Sequence, residues 1–449
     1  MHRVLCIAEI LCLICDGVDG AALATLAQCC TTFHGPAIQV YWRSIPDFIP
    51  LVRCFPADAV RFKDTDGLIS LVRQLEPEDW VAFIKYSKLV RHIGTREGTL
   101  WNIPDNVKLD DQFLRQLGES ASRRMLALLP NLLSFDWAGC RLPPSDLSRT
   151  LCLLGTQVET VRITDWHEEK GPLVEALLLL GHYFPQLRVL ELRRSHPDMP
   201  EGGEEEMWFM YGVGLNPNSK PYVPYSPLTL PGAYRLRVLT RLDCSAIPIT
   251  ETTFQALCQL PMLTSLSIHL PKPLAWPGMN NSSEAFQKLK DLTITAAALK
   301  DYCAFSALIL FSQVETLHLR IARTTLRKND IPRIFSAIKR QYSPTTLTTL
   351  SVCTSKLTPT PAVRRPVAWV YEDDIQQLFY FNNLVAFELG LNCSYNLGGY
   401  IYSELGMPGR VSNGLASGIT AMPDITTRRA SRRLCFHLFT TPPTSRNWR

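Results

Sequence analysis

Nine times along this chain, three apolar residues recur in the spacing apolar-x-x-apolar-x-apolar. The triplets begin at Leu132 (with Phe135 and Trp137), Val158 (Val161, Ile163), Leu187 (Leu190, Leu192) and Leu239 (Leu242, Cys244). They continue at Leu263 (Leu266, Ile268), Leu289 (Leu292, Ile294), Val314 (Leu317, Leu319), Leu347 (Leu350, Val352) and Leu384 (Phe387, Leu389). Successive starts lie 26, 29, 52, 24, 26, 25, 33 and 37 residues apart. Alternation at the second and third apolar positions is the mark of a strand with one buried face. Segments such as Thr253 to Leu260 between triplets read as return helices. The predicted architecture is α/β: stacked units, each one strand plus a return helix or turn, whose apolar face only a neighbouring unit can bury. The strands then form a curved parallel sheet with outer helices.

Residues flanking the second apolar position fall on the other, polar face. They read Ser134/Asp136, Thr160/Arg162, Val189/Glu191, Arg241/Asp243, Ser265/Ser267, Asp291/Thr293, Thr316/His318, Thr349/Ser351 and Ala386/Glu388. This face is mostly polar and carries charges of both signs, which suits protein or peptide recognition as well as plain solvation. Arg162, Glu191, Arg193, Arg241, Asp243, His269, Asp291, His318 and Arg320 are the candidate target-binding residues. The double-length gap holds an insertion over 195–234, with Glu204-Glu205-Glu206 followed by Met207-Trp208-Phe209-Met210-Tyr211. Those aromatics read either as a partner anchor or as a loop folded back on the repeats.

Upstream, three short helical segments are expected in residues 1–45. Ile7, Ile10, Leu11 and Ile14 share one helical stripe that Asp16-Gly17 ends; Leu23, Leu26, Ala27 and Cys30 share another. The third begins near Phe33-His34-Gly35-Pro36, with Pro36 placed as a first helical residue. Helices this short bury little alone and need a neighbour or a partner. Residues 46–128 read as a helical linker packing on the repeats, with one helix opening at Glu76-Pro77-Glu78-Asp79-Trp80 and another running from Phe113 to Leu129. The repeat array occupies 129–396. Residues 397–449, rich in Gly, Ser, Thr, Pro and Arg, read as a basic, disordered tail without a further strand.

Charge sharpens this division. The chain carries +5, and the residues after Leu397 account for all of it, with seven Arg against Glu404 and Asp424. The remainder is balanced, so nothing in it asks for nucleic acid as a partner. Arg428-Arg429-Ala430-Ser431-Arg432-Arg433 reads as a nuclear-import or kinase-recognition patch, or as solvated tail. The 14 Cys sit mostly in apolar positions and suit a reducing compartment, cytoplasmic or nuclear. Cys12-x-x-Cys15 with Cys29-Cys30 lacks the convergent geometry of a zinc site, so no metal or cofactor is expected. Glu9 interrupts the apolar N-terminal stretch and no A-x-A pattern follows, which argues against a signal peptide. No run of about 18 uncharged apolar residues is present, so no membrane span is expected. The Ser-nucleophile, phosphate-loop and zinc-protease motifs are all missing, and the chain is expected not to be an enzyme.

Two resemblances add to this. Ile7-Ala8-Glu9-Ile10-Leu11, then Leu23 through Cys29-Cys30-Thr31-Thr32-Phe33, then Tyr41-Trp42-Arg43 resemble the F-box pattern, which usually has Pro where Ala8 stands. That resemblance implies binding to the Skp-type adaptor of a cullin–RING ubiquitin ligase, with Ile7, Ile10, Leu11, Leu23, Leu26 and Phe33 as the contact surface. The repeats are similar to irregular leucine-rich repeats, whose period is roughly 20–29 residues. The Asn/Cys position beyond the third apolar residue is matched mainly by Cys140 and Asn392. Phe55-Pro56 and Pro77-Glu78-Asp79-Trp80 resemble the large F-box-like family of mushroom-forming fungi. Together these imply an F-box-like module followed by a leucine-rich-repeat solenoid. The implied role is substrate recognition for an SCF-type ligase; the alternative is a repeat scaffold with no ubiquitin role.

Overall fold

The computed structural model describes residues 7–63, 67–94, 101, 103, 107–110, 113–123, 127–137, 140, 147–164, 170–192, 230, 232–271, 285–321, 329–354, 369–391, 394–396 and 434–437. The chain is α/β and divides into two compact units. The first comprises residues 1–194 and 230–239, the second 195–229 and 240–449.

The first unit opens with helices α1 (Ala8–Asp16), α2 (Gly20–Cys29) and α3 (Thr31–Arg43). Asp19 caps α2, its carboxylate accepting the Ala22 N–H at 2.8 Å. The third helix starts earlier than the sequence suggested: Pro36 lies inside α3 rather than at its first position. Gly35 explains this. A residue before proline is normally pushed out of the helical region by its own Cβ, and glycine has none. Cys15, Leu23, Ala37 and Val40 form the core of the three helices, with Val18, Leu26, Ala27 and Tyr41 packed around it. Arg43 reaches back from the end of α3 to Asp16 of α1 at 2.8 Å.

Residues 44–122 contain β1 (Ser44–Ile45), α4 (Ile49–Val52), β2 (Val60–Lys63), β3 (Leu68–Leu71), α5 (Trp80–Ser87), β4 (His92–Ile93), β5 (Lys108–Leu109) and α6 (Phe113–Ser122). The expectation of a helical linker over this stretch is thus corrected. Strands of two to four residues are too short to show a period, so only the helices were legible. Trp42 of α3 stacks on Tyr86 of α5, ring centroids 4.5 Å apart, fixing the helical module to the rest of the unit. Strands β2, β3 and β5 form a small separate sheet.

The first three triplets give β6 (Ser134–Asp136), β7 (Thr160–Ile163) and β8 (Val189–Leu192), alternating with α7 (Leu147–Leu153) and α8 (Lys170–Tyr183). All pairings along β1–β4–β6–β7–β8 are parallel. The sheet therefore begins at Ser44, well before the first triplet. Gly94, with φ of 91°, follows β4 and packs so closely on β6 that an added Cβ would stand 1.9 Å from the Asp136 carbonyl oxygen.

In the second unit the remaining triplets give β9 (Arg241–Pro248), β10 (Ser265–His269), β11 (Asp291–Ala296), β12 (Thr316–Ile321) and β13 (Thr349–Thr354). Between them run α9 (Glu251–Cys258), α10 (Leu299–Ser306) and α11 (Asp330–Gln341). Then follow β14 (Trp369–Tyr371), α12 (Glu372–Gln376), β15 (Ala386–Gly390), β16 (Ser394–Asn396) and β17 (Leu434–His437). Strands β9 to β13 and β15 pair in parallel, each with the next. The last neighbour, β17, pairs with β15 antiparallel, Ala386 opposite His437 and Leu389 opposite Leu434. The expected strandless tail is corrected at this point: Leu434-Cys435-Phe436-His437 pairs as a strand, but an apolar run of three residues is too short to stand out in an Arg- and Thr-rich surrounding.

Every residue of the nine triplets is buried, none more than 7 % exposed. In the second unit their middle positions lie side by side across the sheet: Leu242, Leu266, Leu292, Leu317, Leu350 and Phe387. Burying one such side chain contributes roughly 1.5–3 kcal/mol, so the repeated triplet is the main source of cohesion in the sheet.

Candidate functional site

The face opposite these triplets collects most of the candidate target-binding residues, because register partners in a sheet share a face. In the second unit three rows run across the strands, about 4.8 Å from one strand to the next. The first is Arg241, Ser265, Asp291, Thr316, Thr349 and Ala386. The next is Asp243, Ser267, Thr293, His318, Ser351 and Glu388. The third is His269, Thr295, Arg320, Cys353 and Gly390. The rows thus bring Arg241 and Asp291 onto one line, Asp243 and His318 onto another, and His269 and Arg320 onto the last.

These residues differ in accessibility. Arg241 and Asp291 are exposed, and Asp243, His318 and Arg320 are half-buried. Asp243 is engaged locally, accepting from the Ser245 hydroxyl at 2.7 Å and the Ser245 N–H at 3.1 Å. His269 is buried, and burial pushes its pKa down to about 4 against the opposing pull of a hydrogen bond with the Ser245 backbone. It is a neutral imidazole near pH 7, part of the face's support and not an accessible contact. His318 is also pushed down, first by burial and then by the Arg320 guanidinium, while Glu388 and Asp291 pull the other way. Ser351 donates to the Glu388 carboxylate at 2.9 Å.

In the first unit the equivalent face carries Ser44, His92, Ser134, Thr160 and Val189 in one row and Asp136, Arg162 and Glu191 in the next. Arg162 and Glu191 pair at 3.2 Å, with Glu191 buried. Glu191 is therefore corrected from a contact residue to the buried partner that orients Arg162. His92 is pushed below its ordinary value by burial and by the Arg43 and Arg91 charges. Arg193 and the 195–229 part of the insertion lie outside the described residues, as does Asn392. Cys140 is described: its thiol donates to the Asp136 carbonyl at 3.1 Å.

The helical module sorts the six candidate adaptor contacts. Leu23 belongs to the module's own core and Leu26 packs on it, so these two hold the helices together; Leu11 is buried as well. Phe33 and Ile10 are half-buried. Ile7, just before α1, is 46 % exposed, and on α1 Leu13 is 67 % and Ile14 40 % exposed. Leu11 and Cys15, four apart, take the inward face; Leu13 stands opposite it, and Ile10 and Ile14 lie to one side between the two. The sequence pattern missed Leu13 because both faces of this helix are apolar. Glu388 and Ser351 were visible at flanking positions but not ranked. Of the third row, the sequence singled out His269 and Arg320 but not Thr295, Cys353 or Gly390, which lie one residue past the triplets and carry no charge.

Among the described residues, no group of three or more His, Cys, Asp or Glu is placed to hold a metal ion, and no helix is long and apolar enough to cross a membrane. Compared with known proteins, the chain matches no family model and no curated protein.

Proposed function

We propose that this chain is an F-box/leucine-rich-repeat protein acting as a substrate-recognition adaptor of an SCF-type cullin–RING ubiquitin ligase. It brings no catalytic step of its own; other subunits modify the target. The observation that carries the proposal is the exposed apolar group Ile7, Leu13 and Ile14, with half-buried Ile10 among them, at the start and along α1 of a three-helix module. An exposed group of this kind, on helices with their own core, favours docking to an apolar partner surface. The parallel strands with a mixed-charge polar face support the second half, in which leucine-rich repeats hold a protein target, with Arg241, Asp291, His318 and Arg320 as contacts.

The test is co-purification of the intact protein with a Skp-type adaptor. Leu13→Asp is expected to abolish the complex while leaving the circular dichroism spectrum unchanged. Leu11→Asp abolishes it by unfolding the module. Failure of the intact protein to bind any Skp-type adaptor refutes the reading and leaves a repeat scaffold without a ubiquitin role.

A further inference from the structure

Strand β14 is arranged differently from the other strands of the second unit. Its central residue, Val370, is fully buried, while Trp369 and Tyr371 on the other side are 43 % and 39 % exposed. Two residues apart on a strand, these rings share one face and stand about 7 Å apart. The parallel partner β16 pairs Ser394 with Trp369 and Asn396 with Tyr371. The chain then turns directly into α12, whose first two residues are Glu372 and Asp373. Asp373 is exposed and Glu372 half-buried. The third acid, Asp374, is committed to structure: it is buried, and its carboxylate accepts the Tyr371 N–H at 2.8 Å.

Val370 is the buried residue of β14, and both rings beside it reach solvent. Two adjacent exposed aromatics beside two carboxylates attract a cation twice over. The ring faces carry negative quadrupole potential, and the carboxylates supply full charges within one or two residues of Tyr371. Arginine answers both, because its planar guanidinium stacks on rings and pairs with carboxylates in a fork. The same carboxylates repel a phosphate backbone.

We propose that Trp369, Tyr371, Glu372 and Asp373 form a docking patch for an arginine-bearing extended peptide of a partner protein. The patch lies on a different sheet from the polar rows, and stands whether or not the ligase reading does.

The experiment is fluorescence anisotropy on the full-length protein with a fluorescein-labelled (Arg-Gly)4 peptide, with (Lys-Gly)4, (Glu-Gly)4 and a neutral glucose oligosaccharide for comparison. Saturable binding of (Arg-Gly)4 is expected, with (Lys-Gly)4 weaker and (Glu-Gly)4 silent. The double variant Trp369→Ala, Tyr371→Ala should weaken binding at least tenfold. Trp369→Phe, which keeps a ring, should lose no more than about threefold. The variant Glu372→Gln, Asp373→Asn should weaken binding and flatten its salt dependence. All four side chains reach solvent, so circular dichroism should not change. Absent binding at millimolar peptide, or binding that ignores the Trp369 and Tyr371 changes, overturns the proposal. So does preference for the oligosaccharide. If the peptide binds only after Arg428, Arg429, Arg432 and Arg433 are changed to Gln, the occupant is the chain's own arginine segment and the partner reading fails.

Discussion

Replacing Gly94 by alanine tests the finding that the sheet of the first unit begins before the first triplet. The residue has φ of 91°, and a Cβ there would stand 1.9 Å from the Asp136 carbonyl oxygen and 2.8 Å from its carbonyl carbon. Two costs add. An L side chain held in the left-handed region costs about 1–2 kcal/mol. The contact is with backbone, so no rotamer relieves it; β4 must move away from β6. Such forced displacement costs typically about 1–3 kcal/mol, and here it strains the pairs His92–Ser134 and Ile93–Phe135. A loss of about 2–5 kcal/mol is expected, or roughly 10 °C in the melting temperature for a unit of this size. Gly17 is the control: its φ is −90°, and an added Cβ meets nothing closer than 3.6 Å. Gly17→Ala should stay within about 0.5 kcal/mol of the parent or stabilise slightly. Urea denaturation followed by circular dichroism reads both. A Gly94→Ala protein within about 0.5 kcal/mol of the parent would refute the close approach and with it the pairing of β4 to β6.

Other consequences follow from the same structure. Leu317→Ala, at the centre of the buried row, should cost about 2–5 kcal/mol, whereas Thr316→Ala on the polar face should cost under about 1 kcal/mol; equal losses in urea melts would contradict the assignment of faces. His269 has a folded pKa of about 4 against an ordinary 6.5, so the unfolded chain binds the extra proton between these values. Stability should therefore fall as pH drops from about 6.5 to 4, by up to about 3 kcal/mol from this residue, and the difference between parent and His269→Asn in urea midpoints should shrink across that window. Arg162→Met removes the cation 3.2 Å from buried Glu191, at a cost of about 1–3 kcal/mol. Adding Glu191→Gln should recover much of that loss; a double variant as unstable as the sum of the singles would show that the two do not interact.

How far the sequence could be read follows the length of each element. The nine triplets located nine strands and their buried sides, because a Leu-rich pattern repeated at near-constant spacing outweighs local noise. The polar rows followed from alternation, so Arg241, Asp291 and His318 were placed on the correct face. What stayed hidden was short or exceptional. Strands β1 and β4 offer one buried residue each, Ile45 and Ile93. Pro36 looked like a helix start because the rule about proline ignores the glycine before it. Burial was also illegible wherever both sides of an element are apolar, as on α1, where Leu11 faces inward and Leu13 outward. Glu191 and His269 looked like surface groups by residue type. Only packing shows that one orients Arg162 and the other titrates near pH 4.

The short strand β17 has a consequence for the behaviour of the protein outside its own fold. A parallel sheet that simply stopped at β15 would present a row of free backbone N–H and C=O groups, a template for pairing with another chain. Phe387 and Leu389 would lie along that template, apolar and β-prone. By running antiparallel along Ala386 to Leu389, residues 434–437 occupy these groups. Molecules shortened before Leu434 would carry an unprotected strand edge, so losing this segment is more a matter of self-association and precipitation than of folding energy.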